Sequence, residues 1–258
     1  MEVILSINDL KYSDLFENLN IYIEKNTITT ISGPNNCGKT TLMKILDKMI
    51  NKNFNINLYD KNYNEYSDKE FDELIQVIFP NNIMFQEKII IQELNTQTDN
   101  IDNEKIEYII NNLNLKQISK KNIKDLTTKE IILTQIALAI INSKSIIIID
   151  EIDNYFSKEE IKNLYKFLYE CIEKYDLTFI ISTLNLDSSI YTDYIYIINN
   201  GKVAVKGEPI KVLAKDNVLN KIGLEIPFMI DLSVKLKDYD LIDDIYKKEE
   251  ELIEALWN

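Results

Sequence analysis

A short glycine- and lysine-containing stretch constrains the fold of this chain more than any other feature. It reads Gly33-Pro34-Asn35-Asn36-Cys37-Gly38-Lys39-Thr40, followed by Thr41, and it fits the pattern G-x-x-x-x-G-K-[ST]. A β-forming apolar run, 28–31, precedes it, and residues 42–46 predict a helix that continues to about Ile50. These flanks favour a phosphate-binding loop between a strand and a helix over an ordinary glycine turn.

The residue types of this loop suit the binding of a nucleotide phosphate. Gly33 and Gly38 carry no Cβ, so the backbone can approach a phosphate closely. The loop N–H groups then lie at the positive end of the following helix. We expect Lys39 to contact the β- and γ-phosphates and the Thr40 hydroxyl to ligate Mg²⁺. Residues 33–41 are therefore predicted to bind ATP with Mg²⁺.

A second acidic motif follows an isoleucine-rich stretch. Residues 145–150 predict a buried strand that ends in Asp150, and Glu151 comes directly after it. Ligands of open α/β sheets bind at the carboxyl ends of the strands. We expect Asp150 to hold Mg²⁺ and Glu151 to polarise the attacking water. The alternative is a buried strand whose acidic end only meets solvent.

The order of predicted elements indicates an α/β fold. Strands and helices alternate along most of the chain, which predicts a mostly parallel sheet covered on both faces. Residues 3–7 and 19–23 predict two strands of a small sheet before the loop, with Tyr12 in the turn between them. Asn199-Asn200-Gly201 between two apolar runs predicts a hairpin.

Three further segments have informative local patterns. Ser67 with Glu70 predicts a capped helix over 67–74. Residues 178–182 predict another strand of the core sheet. One face of a helix is predicted from the spacing of four apolar residues: Ile106, Ile109, Ile110 and Leu113.

Composition excludes some classes of function. The net charge of −13 over 258 residues argues against a nucleic-acid-binding surface. The two cysteines predict neither a disulfide framework nor a zinc site, which favours a reducing cytoplasm. The sequence shows no signal peptide and no apolar run of the roughly 18 residues that a membrane span needs. We expect a soluble protein that can dock on a membrane protein.

The order of these motifs resembles that of ATP-binding-cassette ATPases over residues 2–212. The resemblance implies a P-loop NTPase with a small N-terminal antiparallel β subdomain and a helical subdomain at about 80–142, followed by a C-terminal extension, 213–258. Tyr12 occupies the place of the aromatic residue that stacks on adenine in that family, and a π face can pack on any base. The alternative is a tyrosine that only packs in a turn.

Four positions depart from the pattern of that family. Where the family has Leu-Ser-Gly-Gly-Gln, whose glycines approach the γ-phosphate of a neighbouring subunit, this chain has Leu126-Thr127-Thr128-Lys129-Glu130. Thr127 and Glu130 also form a capping-box pattern, which starts a helix without any ligand. Leu184 stands where the family has its switch His, and Pro80, after Phe79, stands where the family has a Gln. Residues 152–157 replace the family's Pro-Thr-Ser-Ala-Leu-Asp. Losing one donor to the phosphate costs about 3 kcal/mol of transition-state stabilisation, so we expect binding with slow hydrolysis.

The C-terminal segment 222–236 resembles the extension of ATPases from energy-coupling-factor transporters, although an amphipathic helical tail is an alternative. The resemblance implies an importer of vitamins or metal ions, a second cassette ATPase as a heterodimer partner, and a membrane coupling protein at the inner face of the cell membrane. This chain is then predicted to be the degenerate ATPase of the pair. Two alternatives are a subunit that binds ATP without hydrolysing it and a soluble cassette ATPase acting on ribosomes or DNA.

Cys37 lies inside the phosphate loop and raises a separate hypothesis. Lys39 and the helix N-terminus would both favour a thiolate, which would make the site oxidisable. The alternative is an inert small residue at a variable position of the motif.

Overall fold

The computed structural model describes residues 2–50, 52–80, 82 and 103–257. The strands are β1 (Val3–Tyr12), β2 (Phe16–Glu24), β3 (Ile28–Ser32), β4 (Ile56–Leu58), β5 (Lys61–Asn62), β6 (Ile75–Ile78), β7 (Ile146–Asp150), β8 (Thr178–Thr183), β9 (Tyr194–Asn199) and β10 (Lys202–Gly207). The helices are α1 (Lys39–Leu46), α2 (Asp68–Leu74), α3 (Asn103–Asn112), α4 (Thr128–Ile141), α5 (Lys158–Tyr175), α6 (Pro209–Leu213), α7 (Asp216–Lys221), α8 (Phe228–Asp238) and α9 (Glu249–Trp257).

The larger sheet has six strands in the order β10-β9-β3-β8-β7-β6. Strand β3 pairs in parallel with β8 and β9, and β7 pairs in parallel with β6 and β8. Only β10 runs antiparallel, joined to β9 by the turn after Asn199. The predicted α/β class, the mostly parallel sheet and the hairpin are therefore confirmed.

This sheet is buried on both faces, as its isoleucine-rich strands require. Along β7, Ile146 and Ile148 point into a core shared with α1 and the smaller sheet. Ile147 and Ile149 point into the opposite core, which contains residues of α3, α4 and α5. Side chains of successive strand residues face opposite sides, so a run of four isoleucines fills both layers.

The smaller sheet is antiparallel, in the order β2-β1-β4-β5. Its first strand is longer than predicted, because its pairing with β2 continues past Ile7 to Tyr12, with irregularities in the register. One of these lies beside Asp9, whose φ of 50° is left-handed. The placement of Tyr12 in the turn is therefore wrong: Tyr12 is the last residue of β1 and pairs with Phe16.

Helix boundaries follow local capping chemistry. Ser67 and Glu70 form the predicted capping box of α2, and Thr127 and Glu130 form that of α4. The helix after the phosphate loop was expected to reach about residue 50, but it ends at Leu46. Lys48 has a left-handed φ of 56°, which a continuing helix cannot accommodate.

The first described helix after residue 102 has the apolar face that its spacing predicts. Ile109 and Leu113 are buried, and Ile106 and Ile110 pack against the same core. Most of the segment between 80 and 103, part of the predicted helical subdomain, lies outside the described residues.

The C-terminal segment packs against the hairpin edge of the large sheet. Leu219, Leu224 and Ile230 share a core with Ile195 and Ile197 of β9. In the last part of the chain Ile242 and Leu252 are buried, whereas some large apolar side chains are exposed: Phe228, Leu241, Ile253, Leu256 and Trp257. Within the described ranges, none of the helices has the length and apolar character needed to cross a bilayer.

Candidate functional site

The phosphate loop connects β3 to α1, and its two glycines are required by close packing. Gly33 has φ of 155°, and a Cβ there would lie 2.2 Å from the carbonyl oxygen of Ile198. Gly38 has φ of 104°, and a Cβ there would lie 2.7 Å from the ring of Phe16. The glycines were predicted from the space that a phosphate needs. The structure adds that the loop packs closely against Ile198 of the larger sheet and Phe16 of the smaller sheet.

The loop lines an open cavity of about 410 Å³. It is lined by Leu15, Asn35, Asn36, Gly38, Lys39, Thr40, Thr41 and Glu151. Seven of these eight were predicted from sequence, and the fold brings Glu151 to them from the carboxyl end of β7, two strands away in the same sheet. Leu15 was missed because an apolar residue in a turn carries no signal for a binding site.

The other predicted residues lie beside or behind this cavity. Gly33 and Pro34 turn their carbonyl groups toward Lys39. Asp150 is 4% exposed at the end of β7. Tyr12 packs edge-on against Phe54, with ring centroids 6.0 Å apart, and is not among the residues that line the cavity.

Lys39 is buried, and its ammonium group is satisfied within the protein. Nζ donates to the carbonyl oxygens of Gly33 at 3.0 Å and Pro34 at 3.3 Å. It also lies 3.4 Å from Oε1 of Glu151. A buried ammonium without partners would be strongly destabilising, so these contacts stabilise the charged Lys39 side chain in the folded protein.

The acidic pair is held by the neighbouring strand. Ser182 of β8, which pairs with Asp150, donates its hydroxyl to Oδ1 of Asp150 at 2.5 Å. Glu151 has a left-handed φ of 45°, and its backbone N–H donates to both the hydroxyl and the carbonyl oxygen of Ser182. Sequence reasoning missed Ser182, because a serine inside an apolar strand gives no sign of what it contacts.

Cys37 does not have the character of a reactive thiolate. It is 8% exposed. Burial raises the pKa of its thiol above the ordinary value, and the nearby Lys39 ammonium offsets this only in part. The hypothesis of a low-pKa thiol is therefore wrong, because desolvation outweighs the positive charge that the sequence placed beside it.

The stretch Leu126–Glu130 forms the start of α4. Thr127 caps the helix, and Glu130 completes the box and pairs with Lys121 at 2.8 Å. Lys129 makes an ion pair with Glu160 of α5, and its ammonium lies 5.5 Å from the centre of the Phe156 ring. The side chains of Thr127, Lys129 and Glu130 therefore have partners within the chain, and none of the three lines the loop cavity.

Taken together, the loop cavity combines phosphate donors with oxygen ligands for a cation. The backbone of 35–41 and the Lys39 ammonium suit the charged oxygens of a polyphosphate. Thr40 and Asp150 offer a hydroxyl and a carboxylate, which are oxygen ligands of the kind that Mg²⁺ prefers. Glu151 stands at the mouth of the same cavity with its side chain 32% exposed.

Comparisons with known proteins agree with this geometry. The ABC transporter family model matches residues 16–154, just over half of the chain. The energy-coupling factor transporter ATP-binding protein EcfA3 of Clostridium perfringens is 25% identical over 93% of this chain and 90% of its own length. The energy-coupling factor transporter ATP-binding protein EcfA of Pediococcus pentosaceus is 25% identical over 88% of this chain and 87% of its own length. The solved structure of cbiO1 from Clostridium perfringens has the same fold, with a TM-score of 0.72. That protein is described as part of the ABC transporter complex cbiONQ, and it is 22% identical, with 90% of this chain and 99% of that one covered.

Proposed function

Because this chain belongs to the ABC transporter family, we propose that it is the ATP-binding subunit of an energy-coupling-factor type importer. The observation that carries the proposal is the loop cavity, where Lys39, Thr40 and Glu151 meet. The named relatives support the transporter type, since their similarity runs through nearly the whole chain and includes the C-terminal extension. A division into a cassette, 1–212, and an extension, 213–258, is part of this proposal.

In the proposed bound state, the phosphates of ATP replace the internal partners of Lys39. The Nζ atom leaves the carbonyl oxygens of Gly33 and Pro34 and contacts the β- and γ-phosphates. Glu151 is thereby released from its ion pair with Lys39 and can accept a proton from the attacking water. Thr40 and Asp150 would hold Mg²⁺, which neutralises charge that develops on the phosphates.

We also propose that the partner subunits include a second cassette ATPase and a membrane coupling protein, at the inner face of the cell membrane. Thr128 and Lys129 stand where the resemblance expects glycines, so this chain would offer a poor signature to its partner's ATP. Leu184 would leave its own site without a switch histidine. Both features favour the role of the degenerate member, and they also favour the alternative of a subunit that binds ATP without hydrolysing it.

The experiment that tests the binding site is Lys39→Ala, followed by titration calorimetry with ATP and Mg²⁺. Removing a charge-assisted hydrogen bond costs about 1.5–3 kcal/mol, so the affinity should fall about 10- to 150-fold. Lys44→Ala is the matched control, because Lys44 lies on the same helix with its side chain exposed. Equal affinities in wild type and Lys39→Ala would contradict the assignment.

Tyr12 is proposed to stack on the adenine ring. Base–aromatic stacking contributes about 1–3 kcal/mol, so Tyr12→Ala should weaken ATP binding about 5- to 150-fold. Tyr12→Phe should bind like wild type, since it keeps the ring. If the alanine variant also binds like wild type in the same titration, the ring serves only to pack against Phe54.

A further inference from the structure

Ser182 lies at the carboxyl end of β8, outside the motifs that identify the site. It is fully buried in the core sheet, and its backbone pairs with that of Asp150 on the parallel strand β7. Its side chain therefore stands directly beside the acidic pair, on the strand next to it. No role for this residue follows from the phosphate loop itself.

Every hydrogen-bonding group of Ser182 that faces the acidic pair is used. The hydroxyl donates to Oδ1 of Asp150 at 2.5 Å and accepts from the backbone N–H of Glu151 at 3.1 Å. The carbonyl oxygen of Ser182 accepts from the same N–H, also at 3.1 Å. A serine hydroxyl has one proton to donate and two lone pairs, so a single side chain can orient one carboxylate and hold the residue after it.

The second of these contacts matters because Glu151 has an unusual backbone conformation. Its φ of 45° lies in the left-handed region, which a glutamate adopts only when its surroundings hold it there. The turn directs the Glu151 carboxylate toward the loop, where Oε1 lies 3.4 Å from Nζ of Lys39. The N–H bonds to Ser182 fix the start of that turn.

We propose that Ser182 is a positioning residue for the cation-binding side of the site: its hydroxyl fixes the rotation of the Asp150 carboxylate and the turn at Glu151. The inference rests on the proposed binding of ATP with Mg²⁺. Because the Ser182 hydroxyl holds Oδ1 of Asp150, the carboxylate keeps one orientation, and its remaining oxygen can bind a cation. Ligating carboxylates need such a partner, and its loss typically weakens metal binding by about 10- to 100-fold.

The test compares the ATP affinity of Ser182→Ala with and without Mg²⁺. A fluorescent ATP analogue is titrated once with Mg²⁺ and once with EDTA, and the ratio of the two affinities is the readout. We expect the EDTA affinity to stay within about twofold of wild type and the gain from Mg²⁺ to fall about tenfold or more. Because both titrations use one preparation, any unfolded fraction lowers both affinities equally and cancels in the ratio.

Two comparisons separate positioning from a general loss of packing. Ser189→Ala also removes a buried hydroxyl, which donates to the carbonyl oxygen of Leu186 at 2.6 Å, and it should keep the wild-type ratio. In an Asp150→Asn background, Ser182→Ala should change the ratio no further, because the effect of Ser182 on Mg²⁺ binding is exerted through the Asp150 carboxylate.

The outcomes distinguish this inference from the proposed function. If wild-type protein binds the analogue under neither condition, the proposed function fails. If wild type gains affinity with Mg²⁺ and Ser182→Ala keeps the same gain, Ser182 has no positioning role and only this inference is overturned. A full additional loss in the Asp150→Asn background would overturn it as well.

Discussion

At the scale of single residues, Lys39 shows how a buried charge is stabilised within the folded chain. Lys39 is 4% exposed, and the partners of its ammonium group include two loop carbonyl groups and Glu151. The sequence predicts Lys39 and Glu151 as site residues, because each belongs to a recognisable motif. It cannot predict their ion pair, which depends on a parallel sheet that brings distant segments together.

Asp47, the residue after α1, provides a test by pH. Burial, and to a smaller extent the charge of Asp72, raises the pKa of its carboxyl group from 3.8 to about 7. The folded protein therefore prefers the protonated form, so the stability that Asp47 contributes is present below about pH 4 and is lost as pH rises toward 7.

The predicted comparison is between wild type and Asp47→Asn, which is neutral at every pH. The free energy of unfolding of Asp47→Asn minus that of wild type should be on the order of 1 kcal/mol larger at about pH 8 than at about pH 4. This magnitude allows for solvent screening of a half-buried group. Urea denaturation at both pH values measures this. The same difference between the two proteins at both pH values would contradict the shifted pKa.

At the scale of elements, helix α4 tests whether Leu126–Glu130 has a structural role. Thr127→Ala removes the side-chain oxygen that accepts from the N–H of Glu130. It should cost about 1 kcal/mol of stability, while Thr127→Ser should cost little because it keeps the hydroxyl. Neither should change the ATP affinity of the isolated chain, since Thr127 lies outside the loop cavity. Equal thermal stability of the two variants would contradict a capping role.

Sequence patterns predicted the elements better than their ends. The buried strands β3, β7 and β8 and the capping boxes of α2 and α4 depend on local chemistry, so they could be read directly. The extension of β1 past Ile7 depends on pairing with β2, and the early end of α1 depends on the left-handed Lys48. These features are set by tertiary contacts and backbone geometry that periodicity does not report.

The same division holds for the candidate site. The loop and the acidic pair were predicted because their residue types and spacing carry the chemistry. Leu15 and Ser182 were not, because their contributions arise from where neighbouring elements place them. The thiol of Cys37 was misjudged because the sequence shows nearby charge but not burial.

At the scale of the whole molecule, we propose that this chain is one half of an asymmetric ATPase pair. The groups proposed to bind and activate ATP, Lys39, Thr40, Asp150 and Glu151, all belong to this chain's own loop side. The side that we propose to face a partner's nucleotide carries Thr128 and Lys129, and Lys129 is already paired with Glu160. A pair of identical copies would therefore combine two good loops with two poor signatures, and we expect ATP-dependent pairing only with a different cassette.

The most direct test of this account is the ATPase rate of the purified chain alone, measured at high protein concentration after ATP binding has been verified. Glu151→Gln serves as the control, since any activity that it shares with wild type comes from contaminants. We predict a wild-type rate barely above that control, because neither the signature nor the switch position is intact. A turnover of about 1 s⁻¹ or more, within the ordinary range of enzymes, would contradict the asymmetric account.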